Sequence, residues 1–68
     1  NMHIREEKVR GAVMTLRAAG WDARFSVSPM GPEIILRAAD GGKDLYAFSH
    51  NDAKVLILGG QVARVGVP

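Results

Sequence analysis

Few residues of this chain could do chemistry. His3 and His50 stand 47 positions apart, cysteine is absent, and no grouping of His, Cys, Asp or Glu has metal-ligand spacing, so neither a metal nor a cofactor is expected. His50-Asn51-Asp52 contains the residue types of an acid-base pair. Asn and Asp at a helix start more often accept hydrogen bonds from backbone amides, and that capping role is the one expected here. Asp40-Gly41-Gly42-Lys43-Asp44 lacks the length and spacing of a phosphate-cradling loop, and Gly59-Gly60 is not followed by Lys-Ser or Lys-Thr. Both glycine pairs read as turns or caps. No catalytic residue is assigned, and the chain is expected to bind rather than to catalyse.

The cations remain. Nine Lys and Arg against seven Asp and Glu leave a net charge of +2, too small to demand a nucleic acid or a membrane as partner. Six of the nine are Arg, whose planar guanidinium suits bidentate and stacked contacts at interfaces. The longest strongly apolar run, Val55 to Leu58, falls far short of the about 20 residues a membrane span requires, and no leader-like apolar segment is visible near the start. A cytoplasmic location is therefore expected, in agreement with a reducing compartment and the lack of cysteine. Asn1 ahead of Met2 reads as a cloning remnant, leaving one domain over 2–68. The 47% hydrophobic and 24% charged content fits a single globular unit. A chain of this size buries only about 60% of its unfolded surface, so self-association is a ready way to gain burial.

Periodicity supplies the elements that must position those cations. From Arg5 to Ala19, the residues Val9, Ala12, Val13, Leu16 and Ala19 recur at steps of three and four, as in an amphipathic helix, and Gly20 caps its end. Glu6, Glu7 and Lys8 fall in the first turns, Arg17 in the last, and Glu6 and Arg10 form an i,i+4 pair. Trp21 to Ser28 alternates strictly, with Trp21, Ala23, Phe25 and Val27 on one face. Pro29 to Pro32 breaks that strand, a second runs from Glu33 to about Ala39, and Gly41-Gly42 turns it into a third, Asp44 to Phe48, with Asp40 and Lys43 paired across the turn. Ser49 with Asp52 reads as a capping box opening a second helix, with Ala53, Leu56, Ile57 and Gly60 facing inward. The alternative is a fourth strand, Val55 to Leu58, turning at Gly59-Gly60 into Gln61 to Val65, which gives one helix plus a five-stranded meander. No repeat, linker or low-complexity segment is evident, and Gly66-Val67-Pro68 is expected to fray.

Registering the strands yields a candidate surface. A four-residue turn pairs Ser28 with Glu33, hence Phe25 with Leu36 and Val27 with Ile34, and the Gly41-Gly42 turn pairs Ala38 with Leu45 and Leu36 with Ala47. The outward face then carries one row of Arg24, Arg37 and Tyr46 and another of Ser26, Ile35 and Phe48. Opposed arginines repel, and an apolar cluster of Ile35, Tyr46 and Phe48 calls for a cover. Three readings follow: a partner interface, the Gln61 to Val67 segment folded over the face, or Arg37 stacked on Tyr46.

The order helix, three antiparallel strands, helix resembles the double-stranded-RNA-binding domain and the small mRNA-interferase toxins that share its topology. The matching residues are Gly31-Pro32 between the first two strands and Ser49, Ala53 and Lys54 at the second helix start. The resemblance implies phosphate contacts from basic residues of that helix. Here those positions hold His50 and Asn51 beside Asp52, Lys54 alone being retained, and Glu33 and Ile34 follow Gly31-Pro32 in place of the family's loop histidine. The toxins' Gly-Ser-His element has no counterpart in Phe25-Ser26-Val27-Ser28, so their nuclease activity is not implied.

The expectation is therefore a single α+β domain of order αβββα acting as a non-catalytic interaction module. Its partner is a protein or a second copy of itself, bound through Arg24, Ile35, Arg37, Tyr46 and Phe48 on the open sheet face. Small inhibitors and regulators of phage or mobile elements share these traits, and the Ala- and Arg-rich composition fits a GC-rich bacterial or phage genome. The alternative is nucleic-acid binding through Arg24, Arg37 and Tyr46 or through Arg10, Arg17 and Lys54.

Overall fold

The computed structural model describes residues 2–66; the expectations for Asn1, Val67 and Pro68 lie outside the described residues. The chain runs α1 (Met2–Ala18), β1 (Ala23–Ser28), β2 (Gly31–Leu36), β3 (Leu45–Ala47) and α2 (His50–Leu58), with the strands in order β1-β2-β3 in one antiparallel sheet. This is the α+β arrangement αβββα. Both helices pack on the same sheet face, where Val9, Val13 and Leu16 of α1 and Ala53 of α2 meet Ala23, Ile34, Leu36 and Ala47. Ile34 and Leu36 are fully buried, each contributing about 1.5–3 kcal/mol of transfer free energy. Val62 completes this core.

Each helix ends in the same way, because glycine is the residue that reaches a left-handed conformation without strain. Gly20 has φ +95°, and the N–H groups of Gly20 and Trp21 donate to the carbonyls of Arg17 and Leu16. Gly60 has φ +72°, and the N–H groups of Gly60 and Gln61 donate to Ile57 and Leu56. Both are Schellman motifs. Leu16-x-x-x-Gly20-x-x-Ala23-Arg24 reappears as Leu56-x-x-x-Gly60-x-x-Ala63-Arg64, so the chain does hold a short internal echo that a search for domain-scale repeats passes over. In both copies the alanine is buried where the chain leaves its cap and enters the sheet.

The second exit decides the end of the sheet. Beyond Gly60 the chain is extended, but it does not pair with Val55 to Leu58, which are helical; the five-stranded meander is excluded. Instead residues 61–65 enter a fork where β1 and β2 part. The Asp22 N–H donates to Ala63 O at 2.9 Å, the Ala63 N–H to Arg37 O at 2.8 Å, the Ala39 N–H to Gln61 O and the Val65 N–H to Gly20 O. Isolated bridges join Trp21 to Arg64 and Ala38 to Val62. The segment thus closes the sheet's end rather than covering its outer face.

Both expected registers are displaced by two positions. Ser28 pairs with Gly31, Phe25 with Ile34 and Val27 with Pro32. The turn is only Pro29-Met30, tightened by Ser28 Oγ, which accepts from the Met30 N–H and donates to Gly31 O, each at 3.1 Å. Pro32 fits inside β2 because its missing donor faces the side of β3, which ends at Ala47, before reaching it. On the other side Leu36 pairs with Leu45 and Ile34 with Ala47, leaving residues 37–44 as a long connection instead of a two-residue hairpin. The C-terminal segment bonds the β1-side edge of residues 37–39, and on the other edge Ala38 O accepts from the Gly41 N–H at 3.1 Å, so the chain turns there and the ladder with β3 stops at Leu36. Asp40 turns back to accept from the Gly42 N–H at 2.7 Å. A slip of two preserves which residues face inward, so the core expectation survives both errors. Smaller corrections concern Ala19 and Gly60, which are exposed in the caps, and Val27, which lies beyond the helices and is 59% exposed.

Candidate functional site

The shifted register rebuilds the outer sheet face. Its paired rows are now Arg24, Ile35 and Tyr46, and Ser26 and Glu33, with Asp22, Arg37 and Asp44 just beyond the last pairs of the ladders. Arg24 and Arg37 no longer oppose each other, and each has a carboxylate. Arg24 Nη2 donates to Asp44 Oδ2 at 2.9 Å, and Arg37 Nε stands 3.6 Å from Asp22 Oδ2. To reach Asp44 from β1, Arg24 must span β2 beside Ile35, which is half-buried. Tyr46 at the end of the same row is 56% exposed. Sequence reasoning left Glu33 unassigned on this face, although its alternation with Ile35 already pointed it outward. Glu33 is 9% exposed. Among these strand-face residues two arginines meet three carboxylates, so the face carries no excess of positive charge.

Phe48 does not join this cluster. It follows β3, lines the groove between α1 and the start of α2, and is 43% exposed. Ser49 caps α2 as expected, its Oγ accepting from the Asp52 N–H at 3.1 Å. The Asp52 carboxylate accepts from the Phe48 N–H at 3.3 Å, one residue ahead of the cap. The capping role expected of Asp52 is thus filled.

The cations of the nucleic-acid alternative are spread over separate surfaces. Arg10 lies 4.1 Å over the Phe25 ring and 3.6 Å from Glu6, and Arg17 Nε donates to Ala23 O at 2.7 Å, both beside β1. Arg24 and Arg37 are on the outer sheet face, and Lys54 is exposed on α2. Two cation and ring contacts lie away from the outer sheet face, Arg10 on Phe25 and Arg64 on Trp21 at 4.2 Å. Sequence reasoning missed Arg64, whose Nη1 also donates to Ala19 O at 3.3 Å. Trp21 and Ala19 lie 43 and 45 positions away along the chain, and no local signal joins them to Arg64. Among the described residues no helix is long and apolar enough to cross a membrane, and no group of three His, Cys, Asp or Glu could hold a metal ion. No protein-family model, curated protein or solved structure matches the chain.

Proposed function

We propose that this domain is a non-catalytic interaction module whose open sheet face binds a protein partner, a second copy of the chain being the first candidate to test. The observation that carries this reading is the central row Arg24, Ile35 and Tyr46. It sits on the face opposite both helices, its tyrosine is more than half exposed, and two ion pairs flank it. Tyrosine and arginine around an aliphatic centre are enriched among residues that dominate protein interfaces. The charge balance favours a protein over a polyanion, because Arg24 and Arg37 are already neutralised and Glu33 adds a further carboxylate. An inhibitor or regulator would need no more than such a surface.

The double-stranded-RNA-binding domain offers a likeness in element order, and nucleic-acid binding remains the competing reading. It is disfavoured by the scatter of Arg10, Arg17, Arg24, Arg37 and Lys54 over separate surfaces, since a duplex needs cations in one continuous track.

Light scattering over a concentration series tests the reading. A dimer whose dissociation constant rises about tenfold in Tyr46→Ala, with the helical and strand signal in circular dichroism unchanged, is the expected result. A monomer at all concentrations that binds duplex RNA or DNA below about 1 μM at physiological salt, with that binding lost in Arg24→Ser/Arg37→Ser, would replace it with the nucleic-acid reading.

A further inference from the structure

The groove between the helices lies on the opposite side of the molecule from the sheet face and plays no part in the function proposed above. It measures about 520 Å³, within the range of small-ligand sites. Arg5, Lys8, Val9 and Ala12 of α1 line one wall, and Phe48 to Asn51 line the other. The lining is therefore divided: two cations at the mouth of a surface made apolar by Val9, Ala12 and Phe48.

Those two cations differ from the other five arginines, and unlike Lys43 and Lys54 they share one groove. Arg10, Arg17, Arg24, Arg37 and Arg64 each meet a carboxylate, a carbonyl or an aromatic ring. Among the described residues Arg5 and Lys8 meet none. Their place in α1 also works against them, because a helix favours anions near its N-terminus and α1 has no acidic residue in its first turn. An anion held between the helices would supply the partner that the described residues do not. The first-turn N–H groups of α2, from His50 and Asn51, are not taken by the Ser49 and Asp52 caps and add donors at the same wall.

We propose that the α1–α2 groove binds a small organic anion, with a phosphate or carboxylate on Arg5 and Lys8 and an apolar body on Val9, Ala12 and Phe48. The volume and the single pair of cations match a small molecule with one anionic group. Recognition needs both halves of the ligand. The charge alone would meet solvated side chains, and exposed ion pairs contribute little.

Titrating the protein with phenyl phosphate, followed by amide shifts in 1H–15N NMR spectra, tests this. The expected shifts are confined to Arg5, Lys8, Ala12 and Ser49 to Asn51, and inorganic phosphate binds more weakly. Arg5→Gln/Lys8→Gln should raise the dissociation constant by about fivefold or more while Lys54→Gln, a cation of α2 outside the groove, stays within about twofold. The spectrum itself reports whether each variant is folded. Shifts elsewhere, equal effects of the two substitutions, or inorganic phosphate binding as tightly as phenyl phosphate would overturn the proposal. So would a short RNA duplex that shifts the same amides at lower concentration, since the groove would then be part of a polyanion track.

Discussion

The two ends of α1 are built on opposite principles. At the C-terminal end, Gly20 closes the helix, Arg64 donates to Ala19 O and stacks on Trp21, and residues 61–65 are threaded into the fork of the sheet. A cation at that end also meets the negative pole of the helix. At the N-terminal end Arg5 and Lys8 face the positive pole and border an open groove. Arginine in one place joins distant parts of the fold, and in the other it borders a groove without a partner among the described residues. The difference shows that a count of cations says little about binding until each has been assigned its partner.

The contrast can be broken most sharply at the closed end. Gly20→Ala forces a side chain into φ +95° and brings its Cβ to 2.9 Å from Arg64 Nη1, so urea unfolding should show a loss of about 1–2 kcal/mol. Gly11→Ala is the control. Gly11 lies inside α1 with open space around it, and the same replacement there should gain about 0.5–1 kcal/mol. Removing the cations compares the ends directly: Arg64→Ala should cost about 1 kcal/mol through its ring and carbonyl contacts, whereas Arg5→Ala should be neutral or stabilising by a few tenths. Equal losses from both would show that the N-terminal cations are structural after all.

The smallest effect is expected on the sheet face. Opposed, unpaired arginines would have made Arg24→Ser stabilising. Because Arg24 instead reaches Asp44 at 2.9 Å, its removal should cost a fraction of a kcal/mol, up to about 1, in a pair that is half-exposed and screened by solvent. Thermal unfolding at low and high salt measures this, and a stabilised variant would restore the register first expected.

The helix caps and the inward alternation were legible locally, whereas the two turns between strands were not. Ser49 announces α2 and Gly20 ends α1 because the capping partners lie within a few residues of the cap. Alternation placed Ala23, Ile34, Leu36 and Ala47 inside, and a slip of two leaves that assignment intact. The candidate face fared less well, since it depended on register. Ile35 and Tyr46 remain neighbours on it, but Phe48 belongs to the groove, and Arg37 exchanges an arginine neighbour for Asp22.

By itself, then, the amino-acid sequence determined the order of the elements, their caps and the side of the sheet each paired strand residue occupies, since all three depend on neighbours one to five positions apart. Tertiary structure alone decided how the strands align and which arginines are spent on the fold. Residues 37–39 pair with the C-terminal segment on the edge that faces away from β3, whereas the local turn signal at Gly41-Gly42 points only to a hairpin with β3. The outcome turns on Val62 entering the core and on Ala63 bonding to both arms of the fork, contacts between parts of the chain that no local pattern connects.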